Sequence, residues 1–142
     1  MRWQTTLGVS RRLMHNLVGP SDPLTNLRPL KLKAVPGESQ RETRLRELRL
    51  EAQEFNRAFW LKHNREFAEA RGEYVRGVLA DHYPEAASNK KTLSADEMSA
   101  FYKAFLDDKW KSHLAYNVEW QKRNFAIVAL ALRIKVEKIL RV

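Results

Sequence analysis

Apolar side chains recur at intervals of three or four residues along most of the chain, which is the spacing of one face of an α-helix. Over 39–81 this seam begins at Leu45 and continues through leucine, alanine and aromatic residues to Val78. We therefore predict one long amphipathic helix over about 39–81. Gly72 and Gly77 each disfavour a helix interior by about 1 kcal/mol, so the pattern leaves open a break near its end.

A polar loop over 82–91 ends this helix, and a helix-start signal follows it. Ser94 and Glu97 have the spacing of a capping box, in which each side chain accepts a hydrogen bond from a main-chain N–H of the first turn. Apolar and aromatic residues at helical spacing then predict helices over about 95–112 and 117–141. The stretch between them contains no glycine or proline, so one continuous helix is the alternative.

The segment 17–38, in front of the helices, carries Pro20, Pro23 and Pro29 close together. Each proline fixes its own φ near about −65° and biases the preceding residue towards extended geometry. Leucines at 24, 27, 30 and 32 give the segment an apolar side. Together the patterns predict an all-α fold, a small bundle of two to three long amphipathic helices over 39–142, preceded by an extended Pro-rich strap.

The last predicted helix contains an uninterrupted apolar run from Phe125 to Leu132. A membrane-spanning helix needs about 20 apolar residues, so the run is too short to be one. Two interpretations remain, a helix packed inside the bundle or an amphipathic helix at an anionic membrane surface. For the second, the candidate membrane-surface residues are Trp120, Lys122, Arg123, Arg133, Lys135, Lys138 and Arg141.

The composition restricts the chemistry that the chain can perform. It has no cysteine, which excludes disulfides, iron–sulfur ligation and copper delivery through thiolates. Its four histidines are scattered along the sequence without metal-ligand spacing. We find no glycine-rich phosphate loop and no nucleophile motif. The sequence therefore predicts no metal site, no cofactor and no catalytic residues.

Positive charge is concentrated at the two ends of the chain. Residues 1–37 hold six Lys/Arg and one acid, residues 38–108 hold twelve and fourteen, and residues 109–142 hold eight and two. Such ends suit an anionic surface or partner. Within 1–16, arginines occur without any acid, which is typical of a mitochondrial transit peptide. A ragged basic N-terminus is the alternative.

Four stretches of the sequence together resemble one protein family. Their order and approximate spacing are similar to those of the cytochrome c oxidase assembly factor 8 family, also called apoptogenic protein 1, mitochondrial, over about residues 17–135. The four stretches are GPSDPLTNLRP (19–29), EAQEFNRAFW (51–60), LSADEMSAFYKAFL (93–106) and HLAYNVEWQKRNF (113–125).

This resemblance implies a small mitochondrial protein that is attached peripherally to the matrix side of the inner membrane. It implies a non-catalytic role in assembly or maintenance of cytochrome c oxidase (respiratory complex IV), with links to the oxidative stress response and to apoptosis. The implied partners are oxidase subunits or assembly intermediates and the membrane surface, without a cofactor.

Protein contact is the mechanism that the residue chemistry leaves. We hypothesise that the strap buries its leucine side and displays Asp22, Asn26 and Arg28 to a partner. The alternative is that the strap only covers a helix seam. The candidate docking residues are Gly19, Pro20, Asp22, Asn26, Leu27, Arg28, Pro29, Asn56, Trp60, Tyr116, Asn117, Trp120, Lys122, Arg123 and Asn124.

Two other functions stay open at this point. The first is a basic nucleic-acid or mitoribosome-associated module that uses the cations of 109–141, whose binding would weaken steeply with salt. It is less favoured, since base-stacking platforms are normally built on strands and the sequence predicts none. The second is a lipid-binding helical protein whose last helix lies on a membrane surface.

Overall fold

A computed structural model of the chain describes residues 16–84 and 92–141. It contains two short strands, β1 (Leu17–Val18) and β2 (Leu30–Lys31), followed by two long helices, α1 (Gln40–His82) and α2 (Ala95–Leu140). The prediction of an all-α fold with long helices behind an extended strap is confirmed. The presequence-like segment 1–16 lies outside the described residues except for Asn16.

Helix α1 begins after a tight turn. Glu38 N–H donates to the Val35 carbonyl at 3.0 Å, and Gly37 has a φ of 80°, a conformation that glycine adopts without steric cost. Ser39 and Glu42 then form a capping box that the sequence analysis overlooked. Glycines at 72 and 77 do not break the helix, which continues to His82.

Helix α2 is a single continuous helix. The predicted capping box is confirmed, since Ser94 N–H donates to Glu97 Oε2 at 2.7 Å and Glu97 N–H donates to Ser94 Oγ at 3.3 Å. The helix then runs from Ala95 to Leu140 without interruption. Of the two possibilities that the sequence left open, the single continuous helix is the one observed and the division into 95–112 and 117–141 is not, because no glycine or proline in the intervening stretch interrupts helical hydrogen bonding.

The chain divides into two compact units. Unit 2 is the continuous segment from Phe59 to Val118. Its core is formed by Met98, Phe101 and Phe105 of α2, with half-buried residues of α1 and the preceding loop packed around them. These surrounding residues are Phe67, Ala70, Tyr74, Val75 and Leu93.

Unit 1 combines the chain up to Ala58 with the chain from Glu119 onwards. It therefore contains the strap, the first part of α1 and the last part of α2. Two ion pairs join the two helices within it, Arg41 with Glu137 and Glu42 with Lys138. The most buried side chains of this unit are Thr25, Ala52 and Ile134.

The strap forms a small sheet, which the sequence did not predict. Strands β1 and β2 are antiparallel, and Val18 lies opposite Leu30. The expectation of a buried leucine side is wrong for Leu24 and Leu30, which are exposed, whereas Leu27 and Leu32 are half-buried. The buried side chain of the strap is Thr25. The strap folds back on itself, so its buried position is set by the loop geometry and not by the spacing of its leucines.

The apolar run of the last helix is not packed inside a bundle. Phe125, Val128 and Leu132 are 72%, 53% and 58% exposed. In unit 1 only α1 and the strap are available to cover α2 among the described residues, so one face of α2 is left in solvent. No helix in the described part of the chain has the length and apolar character needed to span a membrane.

Candidate functional site

The strap between its two strands is closed by its own main-chain hydrogen bonds. Gly19 N–H donates to the Pro29 carbonyl at 2.8 Å, Asp22 N–H to the Leu27 carbonyl at 2.8 Å, and Asn26 N–H to the Asp22 carbonyl at 2.7 Å. The strap is therefore a defined loop with its ends paired and its main chain largely satisfied.

Three residues that the sequence analysis assigned to docking also shape this loop. A Cβ atom on Gly19 would lie 2.8 Å from Pro29 Cγ, so the close approach of the two strands requires glycine. Asn26 has a φ of 59°, in the left-handed region where asparagine is tolerated better than most residues. The Asp22 carboxylate accepts a hydrogen bond from Leu24 N–H at 2.8 Å, as in an Asx-turn.

A helix side chain fixes the strap to α1. The Gln53 amide accepts a hydrogen bond from Leu30 N–H and donates one to the Leu30 carbonyl at 3.1 Å. Gln53 thereby takes the position that another strand would occupy at the edge of β2. Asp22 lies 3.8 Å from the Arg57 guanidinium, which adds a weak electrostatic contact between the strap and the same helix.

A cavity of about 360 Å³ lies where the strap meets both helices of unit 1. We call it the docking pocket. Its walls combine apolar side chains with arginine and amide groups. The lining residues are Asp22, Thr25, Leu27, Arg28, Pro29, Leu30, Arg49, Ala52, Gln53, Asn56, Arg57, Trp120, Asn124 and Ile127.

The charged groups of the docking pocket are mostly positive. Arg28, Arg49 and Arg57 line it, and Asp22 is the acid among its lining residues. Arg28 and Arg49 are exposed, and within 16–84 and 92–141 they form no ion pair. A cluster of unpaired guanidinium groups attracts carboxylates and other anions, and each guanidinium can bind a carboxylate through two parallel hydrogen bonds.

The structure gathers some predicted docking residues and separates others. From the strap, α1 and α2 it brings together Asp22, Leu27, Arg28, Pro29, Asn56, Trp120 and Asn124. In unit 1, Lys122 lies outside this pocket and Arg123 covers the Phe55 ring at 4.5 Å. The remaining predicted residues of α1 and α2, namely Trp60, Tyr116 and Asn117, belong to unit 2.

Three polar residues of the pocket on α1 were not predicted from the sequence. Arg49, Gln53 and Arg57 are spaced four residues apart and share a face with Asn56. Only the apolar seam of this helix entered the prediction, and these three polar residues lie outside it. The signal that could have found them is the helical spacing to Asn56, a residue already chosen from its motif.

Unit 2 contains a cluster of aromatic rings around two histidines. Phe59 stacks on Tyr116 with ring centroids 4.0 Å apart, and Trp60 Nε1–H donates to the Tyr116 hydroxyl at 3.1 Å. His63 and His113 lie side by side, with centroids 4.6 Å apart. These two histidines are fifty positions apart in sequence, and the packing of α1 against α2 brings them together.

Burial lowers the pKa of His63 below its ordinary value of 6.5. The nearby His113 and Lys109 lower it further, whereas Glu66 acts in the opposite direction. In the described part of the chain, no three His, Cys, Asp or Glu residues gather as metal ligands.

The face of α2 that unit 1 leaves exposed is apolar. We call it the α2 face and define it by Phe125, Val128, Leu132, Val136 and Ile139, which are all exposed. At about 100° per residue these five side chains project to one side of the helix. Helical spacing places Lys122 and Arg133 along one flank of this face and Lys135 along the other.

The candidate membrane-surface residues do not all belong to the α2 face. Trp120 lines the docking pocket, Arg123 covers Phe55, and Lys138 pairs with Glu42. These three side chains therefore make contacts within unit 1. Arg133 pairs with Glu137 along α2, and Lys122, Lys135 and Arg141 are exposed.

Comparison with known proteins gives matches over most of the chain. A family model described as cytochrome c oxidase assembly factor 8 matches residues 15–140. The Bos taurus protein named cytochrome c oxidase assembly factor 8 is 40% identical over 132 residues, which cover 91% of this chain and 69% of the relative. The Homo sapiens protein of that name is 37% identical over 132 residues, covering 91% and 64% of the two chains.

A more distant relative comes from Caenorhabditis elegans and is named a COA8 family protein, mitochondrial. It is 33% identical over 124 residues, which cover 87% of this chain and 84% of the relative. No solved structure matches this chain.

Proposed function

The chain belongs to the cytochrome c oxidase assembly factor 8 family, and from this membership we propose that it acts in the assembly or maintenance of cytochrome c oxidase in mitochondria. In this proposal it is a non-catalytic scaffold that binds an oxidase subunit or assembly intermediate on the strap side of unit 1. The proposal includes the links to oxidative stress and apoptosis that the sequence resemblance implies, and it assigns no residue to them.

The convergence of three chain segments on the docking pocket supports a binding role. Residues from 19–29, 51–60 and 113–125 line the same cavity, although the first and last of these stretches are far apart in sequence. The strap is already held by its own hydrogen bonds and by Gln53. Little conformational entropy is therefore lost when a partner binds there, which favours affinity.

Native gel electrophoresis of the respiratory complexes in cells that lack the protein tests this function. We expect a selective loss of cytochrome c oxidase that the wild-type chain restores. A general loss of all complexes with mitochondrially made subunits would support the mitoribosome-associated alternative. Unchanged oxidase levels would contradict the proposal.

A second candidate function, attachment to the matrix side of the inner membrane, is supported by the α2 face. A contiguous apolar surface flanked by cations has the composition of a helix that lies in the interface of an anionic bilayer. The acids of this part of α2, Glu119 and Glu137, both form ion pairs within unit 1. Of the cations that flank the face, Arg133 pairs with Glu137, whereas Lys122 and Lys135 form no ion pair among the described residues. Lys122 and Lys135 are therefore the flanking cations that can meet anionic headgroups.

Co-sedimentation of the full chain with cardiolipin-containing vesicles tests the attachment. The variant Leu132→Gln/Val136→Gln removes apolar area from the α2 face, and Leu106→Gln/Leu114→Gln is the matched control on α2 in unit 2. These four side chains are 52–60% exposed in the wild type, so both variants should fold. We expect the first to lose sedimentation and the control to keep it; equal sedimentation of the two variants rejects the α2 face as the anchor.

A further inference from the structure

We propose that the docking pocket binds a short acidic segment of a partner protein, which inserts an apolar side chain into the pocket and places carboxylates against Arg28 and Arg49. This inference rests on the proposed function and names the chemistry of the partner. In this inference, Arg28 and Arg49 bind the carboxylates of the segment. Trp120 and Ile127 belong to the apolar surface that contacts its apolar side chain.

Charge complementarity identifies the segment as acidic. Arg28 approaches the pocket from the strap and Arg49 from α1, so the two guanidinium groups belong to different elements. Other arginines of unit 1 are neutralised within it: Arg44 pairs with Glu47 and Glu51, and Arg46 pairs with Glu38. The pocket arginines that remain unpaired are thus the ones that an incoming carboxylate meets.

The apolar part of the pocket indicates that the bound segment carries an apolar side chain between its carboxylates. Ala52 and Thr25 line the pocket and are each 3% exposed, so both side chains are well packed. Leu27, Pro29 and Ile127 add further apolar surface to its lining. A volume of about 360 Å³ lies near the lower end of the range of ligand pockets, and it accommodates one or two large side chains of a peptide.

The hydrogen bonding of β2 excludes the main competing mode of peptide binding at this place. A peptide that added a strand to β2 would need the outward N–H and C=O groups of Leu30. Both groups are already bonded to the Gln53 amide. Recognition at this surface therefore depends on side chains in the pocket and charges at its rim.

An array of overlapping synthetic peptides that covers the subunits of cytochrome c oxidase tests the inference with the full-length protein. We expect the bound peptides to be net acidic and to contain a leucine, isoleucine or aromatic residue between acids. Replacing that residue with serine should abolish binding, and raising the salt concentration should weaken it because exposed charges are screened.

Charge-reversal variants locate the binding. By fluorescence anisotropy with a labelled bound peptide, we expect Arg28→Glu/Arg49→Glu to weaken binding by at least about tenfold. The matched control is Arg71→Glu, which reverses an exposed charge on the same helix in unit 2. A peptide whose acids are replaced by lysine should bind the double variant more tightly than it binds the wild type. Far-UV circular dichroism confirms that each variant is folded.

Each outcome decides the inference. Bound peptides without acidic character, equal effects of the double variant and of Arg71→Glu, or no bound peptide would overturn it. If the double variant lowers binding to cardiolipin vesicles while no acidic peptide binds, the pocket binds an anionic lipid headgroup instead. A selective loss of the oxidase in cells that lack the protein would still support the proposed function if the peptide experiment failed, so the two failures are distinguishable.

Discussion

At the scale of single residues, Asn26 combines a structural role with a proposed docking role. Its φ of 59° is strained for residues with a Cβ other than asparagine and aspartate, by roughly 1–2 kcal/mol. Glycine adopts this conformation without strain. Asn26 therefore allows a test that separates the shape of the strap from the chemistry of its surface.

We predict that Asn26→Ala lowers the free energy of unfolding by about 1 kcal/mol, whereas Asn26→Gly leaves it nearly unchanged. Urea denaturation followed by circular dichroism measures both. If a partner forms hydrogen bonds with the Asn26 side-chain amide, the Asn26→Gly variant will fold normally. It will nevertheless fail to restore the oxidase in cells that lack the protein. Equal stability of the alanine variant and the wild type would contradict the structural part of this prediction.

His63 makes the stability of unit 2 depend on pH. Its pKa is lowered in the folded chain by burial, and further by His113 and Lys109 against the opposing effect of Glu66. On unfolding, His63 regains its ordinary pKa of 6.5, so below about pH 6.5 the unfolded chain binds more protons. The free energy of unfolding should therefore decrease as the pH falls below about 6.5, because protonation of His63 favours the unfolded chain.

We predict that His63→Phe reduces the loss of stability between about pH 7 and about pH 5. Phenylalanine keeps an aromatic ring beside Phe59, which stacks on His63 at 5.9 Å between centroids, and it removes the titrating group. Urea unfolding at several pH values measures the effect. An unchanged pH dependence in the variant would show that another group controls it.

At the scale of elements, the start of α2 is specified by its own sequence. Ser94 and Glu97 satisfy each other's main-chain N–H groups, and Leu93 packs against the core cluster that contains Met98. We predict that Ser94→Ala lowers the free energy of unfolding by about 1 kcal/mol. The control is Ser112→Ala on the exposed surface of the same helix, which should change stability by no more than about 0.5 kcal/mol. Equal losses in the two variants would contradict the capping role.

The start of α1 depends in addition on the other helix. The hydrogen bond that Glu42 accepts from Lys138 is the largest cause that lowers its pKa from 4.5 to about 2, and hydrogen bonds from the Ser39 main chain and hydroxyl add to it. These contacts stabilise the folded chain above about pH 4.5, and this stabilisation is lost as the pH falls towards about 2. We predict that Glu42→Gln flattens the acid branch of the stability profile. Acid titration of the circular dichroism signal measures this change, and a wild-type profile in the variant would contradict it.

Local sequence signals predicted the helices. They failed for features that depend on contacts between residues far apart in sequence. Pro84 follows the end of α1 and the capping box of Ser94 marks the start of α2. The predicted start and end of α1 each lie within one residue of the observed ones. Three other features depend on how segments far apart in sequence pack together. They are the burial of Thr25, the adjacency of His63 and His113, and the contribution of Gln53 to the pocket. No periodicity in a single segment encodes such pairings. The motif comparison nevertheless found Asn56, Trp120 and Asn124, because it used several segments at once.

At the scale of the whole molecule, the two ends of the described chain depend on each other. Unit 1 takes its strap and its first helix segment from one end and its second helix segment from the other. The docking pocket also combines the two ends, since Trp120, Asn124 and Ile127 of α2 line it together with residues of the strap. Unit 2, in contrast, is formed by one continuous segment. A truncation that removes the end of α2 should therefore affect the distant strap more than the nearby aromatic core.

We predict that a chain ending at Asn117 loses amide protection in the strap, at Gly19, Asp22 and Asn26, whose N–H groups are bonded in the full chain. Removal of residues 118–142 deletes the pocket residues that α2 supplies. It also deletes Glu137 and Lys138, which form ion pairs with Arg41 and Glu42. The amides around Met98 and Phe101 should stay protected, because their core cluster lies within unit 2. Hydrogen exchange followed by mass spectrometry measures both regions in one experiment.

The same truncation has a consequence for membrane experiments. It removes the α2 face and disrupts the docking pocket together, so a loss of vesicle binding after truncation would not identify the anchor. Point substitutions on the α2 face avoid this ambiguity, because Leu132 and Val136 are already exposed. If the strap of the truncated chain kept its protection, unit 1 would not depend on the end of α2. The strap and the first part of α1 would then form the docking surface alone, and the assignment of Trp120 and Asn124 to that surface would be wrong.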